Sequence, residues 1–329
     1  MAVYTTLEWN DINTLIQAFG IGDLVQFEGI AAGMENSNYF VTTSSHHLGS
    51  ELEDRQGQYV LTLFEELPES QLPFHIKLLQ QLQQEGIPIA APINDYNGQA
   101  LQHIKGLPAV LCPRLSGEHP QHPTIKQCQI IGSTLADIHN ALQDFEAESE
   151  YSGIRDNAWL EKSLEKASEF LSPSENQLAR DVFQHYSHAI DNNEFSQSII
   201  HGDLFQDNSL FQGNDLIGII DFFNAGRGFC LYDLAIVVND WCLNKMGQVN
   251  HEHYHQLVSA YKQKRNFTAA EKRCWPVFLQ ICALRFWISR LLNQKQRLNE
   301  QHELTTHKDP LQYKRILLNH RSNPELYLP

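Results

Sequence analysis

Residues His201-Gly202-Asp203-Leu204-Phe205-Gln206-Asp207-Asn208 form a polar octapeptide set between two short apolar runs, Ser198-Ile199-Ile200 and Ser209-Leu210-Phe211. Apolar runs on either side of a polar segment predict a strand–loop–strand unit. A loop held at both ends by a rigid scaffold is where reactive side chains are commonly placed. Thirteen residues after Asn208, Asp221 ends a further apolar run, Gly218-Ile219-Ile220, and Phe222-Phe223 follow it. Two acids and an amide on neighbouring loops therefore set the terms for the rest of the chain.

That layout matches the needs of a magnesium-dependent phosphoryl transfer. One carboxylate orients an attacking hydroxyl and accepts its proton, while an amide and a second carboxylate hold Mg²⁺ against nucleotide phosphates. Positioning and charge neutralisation then do most of the catalysis. The spacing H-x-D-x-x-x-x-N followed by Asp-Phe has the arithmetic of the protein-kinase catalytic loop. The bland alternative is that Asp203, Asn208 and Asp221 only form turns, which Asp and Asn favour. Their joint spacing and flanking apolar runs argue against it.

The wider chain offers a frame for such a site. The first 110 residues read as β-rich with one helix. Gln26–Ile30, Asn38–Thr43 and Tyr59–Phe64 have the apolar and β-branched character of strands, with Ala31–Ser37 as a small-residue loop and 44–57 as a polar connection. Leu72, Ile76 and Leu79, with Phe74, Leu78 and Leu82, give helical spacing that ends at Gly86. Ala109–Cys112 reads as another strand, stopped by Pro113. Beyond it Ile125, Cys128, Leu135, Ile138 and Leu142 share a helical face, and 231–243 and 269–293 also read as helices. The expected division is residues 1–112 and residues 113–329, with a hinge near 111–117.

Composition narrows the partners. The formal net charge of −15 argues against a nucleic-acid surface. Six cysteines without a CxxC pair read as reduced thiols of a cytoplasmic protein. The N-terminus lacks the pattern of a secretion signal. The most apolar late stretch, 276–292, holds Arg285 and Arg290 and reads as too short and too charged to cross a bilayer. The expectation is a monomer or homodimer acting on a small molecule, with no nucleic acid and no membrane.

At these residues the chain resembles the aminoglycoside phosphotransferase and choline kinase superfamily, and within it the type II homoserine kinases. The resemblance extends over nearly the whole chain. It is carried by Gly29–Val41, Tyr59–Glu65, the loop 201–208, Ile220-Asp221-Phe222, Leu231–Ala235, Val238-Asn239-Asp240-Trp241-Cys242 and Leu284–Trp287. It implies an α+β, two-lobed, protein-kinase-like fold: a smaller lobe with an antiparallel sheet and a helix, and a larger, mainly helical lobe. It implies ATP and Mg²⁺, and transfer of the γ-phosphoryl group to the side-chain hydroxyl of L-homoserine on the way to threonine. By matching position, Asp203 resembles the catalytic base, and Asn208 and Asp221 the Mg²⁺ ligands. Gly33, Glu35, Asn36, Ser37 and Asn38 resemble the phosphate loop. His201 resembles a residue that packs and orients the catalytic loop, and Asp233 one that braces it. Residues 111–115 would face adenine.

One position departs from the pattern. Kinase relatives usually place a lysine or arginine where Thr62 stands, and Thr62 carries no charge; Lys105 is a candidate replacement. A homoserine site must also pair an α-carboxylate and an α-ammonium, because burying either unpaired is costly. An arginine fork suits the carboxylate, so Arg285 is the candidate there. Asn239, Asp240 and Trp241 are the candidates for the ammonium end, and Asp203 for the acceptor hydroxyl. For Arg285 and Asp240 the competing reading is a structural ion pair.

A second motif points elsewhere. His251-Glu252-His253-Tyr254-His255 fits HExxH, in which two histidines of one helix face bind zinc and the glutamate acts as general base. No convincing third ligand follows, since His302 and His307 lie beyond a polar stretch, and a solvated helix face is the plainer reading. Other acceptors on the same fold, namely choline, ethanolamine, an aminoglycoside or a sugar, stay open at this stage. So does a kinase-like binding module without catalysis, although the intact acid set argues against it.

Overall fold

The computed structural model describes residues 4–30, 36–44, 57–145, 156–244, 246–299, 308–323 and 326–329. The chain forms two compact units, Met1–Ser116 and Gly117–Pro329. The division falls after Ser116 rather than after Cys112.

In the first unit, α1 (Trp9–Phe19) precedes β1 (Leu24–Gly29), β2 (Asn36–Thr43), β3 (Gly57–Phe64), α2 (Leu72–Gln84), β4 (Gln102–Ile104) and β5 (Leu107–Pro113). The strands form one sheet in the order β1-β2-β3-β5-β4, antiparallel throughout. The sequence reading did not include α1. Its start is a capping box between Glu8 and Asp11, and its end is Gly20 at φ 63°. Ile12, Leu15, Ile16 and Phe19 fall at helical spacing and are all buried. They meet Tyr39, Val41, Leu61, Leu63 and Leu111 of the sheet in one core. Along β2 burial alternates, with Ser37, Tyr39, Val41 and Thr43 turned inward. The period of two thus sends Ser37 to the α1 face and Asn36 and Asn38 to the other.

The second unit holds the helices α3 (Ile125–Ala141), α4 (Asn157–Ala167) and α5 (Pro173–Asp191), then β6 (Gln197–Ile200), β7 (Ser209–Gln212), β8 (Asp215–Ile219) and β9 (Gly226–Phe229). After these come α6 (Cys230–Trp241), α7 (His251–Lys264), α8 (Ala269–Asn299) and α9 (Pro310–Ser322). The apolar runs flanking the octapeptide do become strands, but they do not pair with each other. β6 pairs with β9 and β7 pairs with β8, each antiparallel. The octapeptide therefore bridges two separate ribbons. α3 and α7 cross closely at Gly132, where a Cβ would stand 2.2 Å from Leu257 O.

α8 is longer than the sequence reading allowed. Its segment Ala269–Gln296 is long and apolar enough by composition to cross a membrane, yet two-thirds of its most apolar 18-residue window is buried inside the unit. Trp275, Phe278, Ile281, Leu284 and Trp287 supply that buried surface, which is what the core helix of a packed unit requires. Arg285, also buried, lies within the same helix.

Candidate active site

The loop after β6 is held from below by one carboxylate. Asp233, in the first turn of α6, accepts the backbone N–H of His201 at 2.8 Å through Oδ2 and that of Gly202 at 2.9 Å through Oδ1. Gly202 sits at φ 76°, and a Cβ there would meet Asn224 O at 3.0 Å, so a side chain would be strained twice over. Behind Asp233 stands His139 of α3, whose Nε2 lies 3.0 Å from Asp233 Oδ2 and whose Nδ1 lies 2.8 Å from the Tyr261 hydroxyl. Burial alone would raise the Asp233 carboxyl, but hydrogen bonding and charge from His139, with help from His201 and Gly202, bring it below the usual carboxylate range. Burial pulls the His139 imidazole down; the Cys230 sulfur and the Asp233 carboxylate push it up more, to about 9. A protonated His139 against an ionised Asp233 is the result.

His201 is fully buried and packs against Phe222 with ring centroids 4.4 Å apart. Its Nε2 lies 3.0 Å from Ile220 O, and its Nδ1 lies 3.2 Å from Asp203 N. Since a backbone N–H must donate, Nδ1 accepts and Nε2 carries the proton. Burial keeps this ring below its ordinary pKa, despite the charges of Asp233 and Asp203. His201 is thus a neutral strut of the loop.

Asp203 projects from this braced segment with its side chain 17% exposed. Its carbonyl accepts from the Asn208 amide at 2.8 Å and from Phe205 N–H at 2.8 Å. With the amide nitrogen so engaged, the oxygen of Asn208 is the end left to meet a cation. Ile220 N–H donates to Asn208 O at 3.0 Å, so Ile220 ties the segment before Asp221 to the 201–208 loop through both its N–H and its C=O. Asp221 itself is exposed, at φ 65° and ψ 57°. Among the described residues it shares a positive φ outside glycine only with Lys105. Such backbone costs about 1–3 kcal/mol and concentrates at functional positions. Asn208 and Asp221 offer a neutral oxygen and a carboxylate, the hard donors that suit Mg²⁺. Among the described residues no three or more His, Cys, Asp or Glu gather as an all-protein metal cage.

Of the expected acceptor residues, the structure brings Arg285 to Asp203. Arg285 Nη1 lies 3.7 Å from Asp203 Oδ1, and the guanidinium stacks on the Phe286 ring at 4.0 Å. Asp240 also joins the loop: its Oδ2 accepts Gln206 N–H at 2.7 Å and its backbone O accepts the Gln206 amide at 2.8 Å. Removal of the Asp240 carboxyl from water raises its pKa to about 6, against the pull of the Gln206 N–H. Asn239 and Trp241 are different. Asn239 donates to Leu279 O at 2.9 Å and its Oδ1 lies 2.7 Å from His320 Nε2, so its amide braces α6 against α8 and α9. Trp241 is buried and donates to Leu204 O at 3.3 Å. Both brace the site, a correction of their expected place at the ammonium end: α6 is buried on nearly every side, and each of these side chains is held by its own partners.

Comparison with known proteins then identifies the constellation. The profile of the phosphotransferase enzyme family matches residues 26–265, which include Asp203, Asn208, Asp221 and Asp233. The chain belongs to this family. A homoserine kinase of Pseudomonas aeruginosa is 36% identical over 332 residues, covering 100% of this chain and 99% of that protein. A homoserine kinase of Neisseria meningitidis serogroup B is 34% identical over 319 residues, covering 97% and 99%. Among solved structures, a microcompartment-associated aminopropanol kinase has a TM-score of 0.69 at 16% identity, covering 95% of this chain and 97% of that one. Amicoumacin kinase, in complex with AMP-PNP, Ca²⁺ and Ami, has a TM-score of 0.67 at 14% identity, covering 96% and 93%. The fold is the α+β, protein-kinase-like one.

Within this phosphotransferase the expected phosphate loop is described only in part. Gly33 and Glu35 lie outside the described residues. Ser37 is fully buried: its hydroxyl accepts Tyr4 N–H at 2.8 Å and Thr5 N–H at 3.0 Å and donates to Glu65 at 2.6 Å. Its hydroxyl is fully engaged in pinning the N-terminal segment, which leaves that side chain nothing to offer a phosphate. Asn38 faces Thr62 in register, and the Thr62 hydroxyl donates to Asn38 Oδ1 at 2.7 Å, while Asn38 Nδ2 reaches back to Asn36 O at 3.4 Å. The uncharged Thr62 is therefore part of a polar pair across two strands. Lys105 is not the missing cation. Its ammonium lies 3.2 Å from Asp11 and donates to Thr6 O, which ties α1 to the β4–β5 turn.

The HExxH segment opens α7 of the phosphotransferase. The Asn250 side chain caps Glu252 and His253, and His251, Glu252 and His255 are exposed. A capped, solvated first turn explains the motif, and the zinc-hydrolase reading is dropped. Sequence reasoning missed His139 and Tyr261. A lone histidine beside the apolar face of Ile131, Leu135, Ile138 and Leu142 was the available signal for the first.

Proposed function

We propose that this chain is an ATP-dependent homoserine kinase, which converts L-homoserine to O-phospho-L-homoserine for threonine biosynthesis. The observation that carries the reading is full-length identity of 36% to a homoserine kinase, joined to an intact Asp203, Asn208 and Asp221 set. The Asp203 carboxylate accepts the proton of the acceptor hydroxyl as its oxygen forms the new bond to the γ-phosphorus. The bond from that phosphorus to the β,γ-bridging oxygen breaks, and ADP leaves with the electron pair. His201, Asp233 and His139 hold Asp203 in place, so positioning is built in before substrate arrives. The Asn208 oxygen and Asp221 carboxylate would hold Mg²⁺, which supplies charge neutralisation at the phosphates. Arg285 stands next to Asp203 and neutralises the α-carboxylate of the acceptor, while Asp240 takes the ammonium.

The test is ADP release with Mg·ATP across L-homoserine, L-threonine, L-serine, choline, ethanolamine and an aminoglycoside. Selective turnover of homoserine supports the reading. Turnover of another alcohol keeps the phosphotransferase chemistry and removes homoserine as its substrate.

A further inference from the structure

The Tyr313 hydroxyl stands out among the buried polar groups of the second unit. α9 carries Tyr313 to a position where 1% of it is exposed. Its ring centroid lies 5.1 Å from that of Phe286 and 6.2 Å from that of Phe205. Phe205 belongs to the catalytic loop, and Phe286 follows Arg285. The Arg290 guanidinium sits over the Tyr313 ring at 4.4 Å. A buried phenol ordinarily has a hydrogen-bond partner for its polar tip. The Tyr313 oxygen is buried and has none among the described residues. Besides burial, the charges that act on it are those of Asp240, Arg290, Asp203 and Arg285, and three of these, Asp203, Arg285 and Asp240, are the acceptor groups of the reading above.

A second observation bears on the same helix. The phosphotransferase family match ends at residue 265, while the homoserine kinase of Pseudomonas aeruginosa aligns over the whole chain. Arg285 and Tyr313 both lie in the part that the family profile leaves out. What sets the acceptor is therefore sought in α8 and α9.

We propose that Tyr313 is an acceptor-binding residue whose hydroxyl donates a hydrogen bond to the α-carboxylate of the substrate amino acid, beside Arg285. The inference rests on the homoserine-kinase reading. A phenol donor next to a guanidinium fixes the carboxylate in orientation as well as charge. It leaves Asp240 for the ammonium and Asp203 for the hydroxyl. Rings of Phe205 and Phe286 flank Tyr313, so the donor is rigid before substrate arrives.

Tyr313→Phe removes the hydroxyl and keeps the ring, and it takes away a buried polar atom that packing does not satisfy, so the melting temperature should not fall. The expected result is a rise of about tenfold or more in KM for homoserine, the loss that follows removal of one hydrogen bond to a charged group. The KM for ATP should stay put. Homoserine KM unchanged in a folded variant overturns the proposal. Inhibition by two analogues supplies a second measurement. The Ki of 4-hydroxybutyrate, which keeps the carboxylate, should rise in parallel, and that of 3-amino-1-propanol, which lacks it, should not. Equal weakening of both overturns the carboxylate assignment. If the wild-type enzyme ignores homoserine and uses an alcohol without a carboxylate, the homoserine reading and this one fall together. If it uses a different hydroxy-amino acid, only the homoserine reading falls, and the same KM comparison with that acceptor decides Tyr313.

Discussion

The Nε2 of His139 lies 3.0 Å from Asp233 Oδ2, and both side chains are fully buried. This pair stands one step behind the catalytic loop, because the same Asp233 carboxylate holds His201 N–H and Gly202 N–H. Removing one partner of a buried pair leaves the other charge uncompensated, at a cost of about 3–5 kcal/mol. His139→Ala should therefore lower both stability and kcat. The pair also has a pH signature. His139 is held protonated to about 9, above its ordinary 6.5. Its contribution is complete below pH 6.5, shrinks as pH rises, and is lost above about 9. Asp233 titrates below the carboxylate range and does not change in this window. Urea unfolding between pH 6 and 9 should show wild-type stability declining more steeply than that of His139→Gln, which has no proton to lose; equal slopes would remove the ion pair from the account.

Arg285 and Asp203 test the reaction centre together. Asp203→Ala should lower kcat by about 10²–10⁴, the range for a positioned general base, while ATP affinity survives. Arg285→Ala should lower kcat/KM for homoserine by about 100-fold, since truncating one partner of a close charge pair costs upwards of 2 kcal/mol. Arg285→Lys should fall between, because it keeps the charge and loses the fork. The KM for ATP in all three variants is the control. A shift in ATP affinity as large as that in homoserine affinity would place Arg285 at the nucleotide.

Asn208→Ala and Asp221→Asn separate metal holding from fold. Asn208 also anchors Asp203 O, so its loss should raise the Mg²⁺ needed for half-maximal rate and lower kcat as well. Asp221→Asn keeps the shape and an amide able to tolerate positive φ. It should raise the Mg²⁺ requirement with little change in melting temperature. Titrating Mg²⁺ at saturating ATP reads both, and a Mg²⁺ requirement unchanged in Asp221→Asn would contradict its place as a ligand.

Much of the site was legible because its chemistry is local. Asp203, Asn208 and Asp221 declare themselves by spacing within a short stretch, and backbone bonds through Ile220 complete the link. Ser37 was misassigned for a readable reason: β2 begins at Asn36, and the two-residue period buries every second side chain. Asn239 and Trp241 were misassigned because a polar group inside an apolar helix can be a brace as well as a ligand, and only the partners Leu279, His320 and Leu204 decide which. Those partners are 40, 81 and 37 residues away. His139 reaches Asp233 across 94 residues, a separation that no local pattern reports. The pairing of β6 with β9 and β7 with β8 was hidden for the same reason.

His320 gives the acid limb of the stability profile. It lies almost wholly buried on α9, with Nε2 2.7 Å from Asn239 Oδ1, and burial pushes its pKa down to about 4 from 6.5. A neutral ring is thus required in the folded state, and the unfolded chain takes up the proton first. The sign follows: the contribution is present above pH 6.5 and is lost as pH falls through about 4, amounting to about 3 kcal/mol at most. His201, also held neutral by burial, works in the same direction. His320→Gln keeps a donor for Asn239 and has nothing to protonate. Its unfolding free energy should lie below wild type at pH 7 and fall less between pH 6.5 and 4. If wild type and variant lose stability in parallel on that limb, His320 is not the group that titrates.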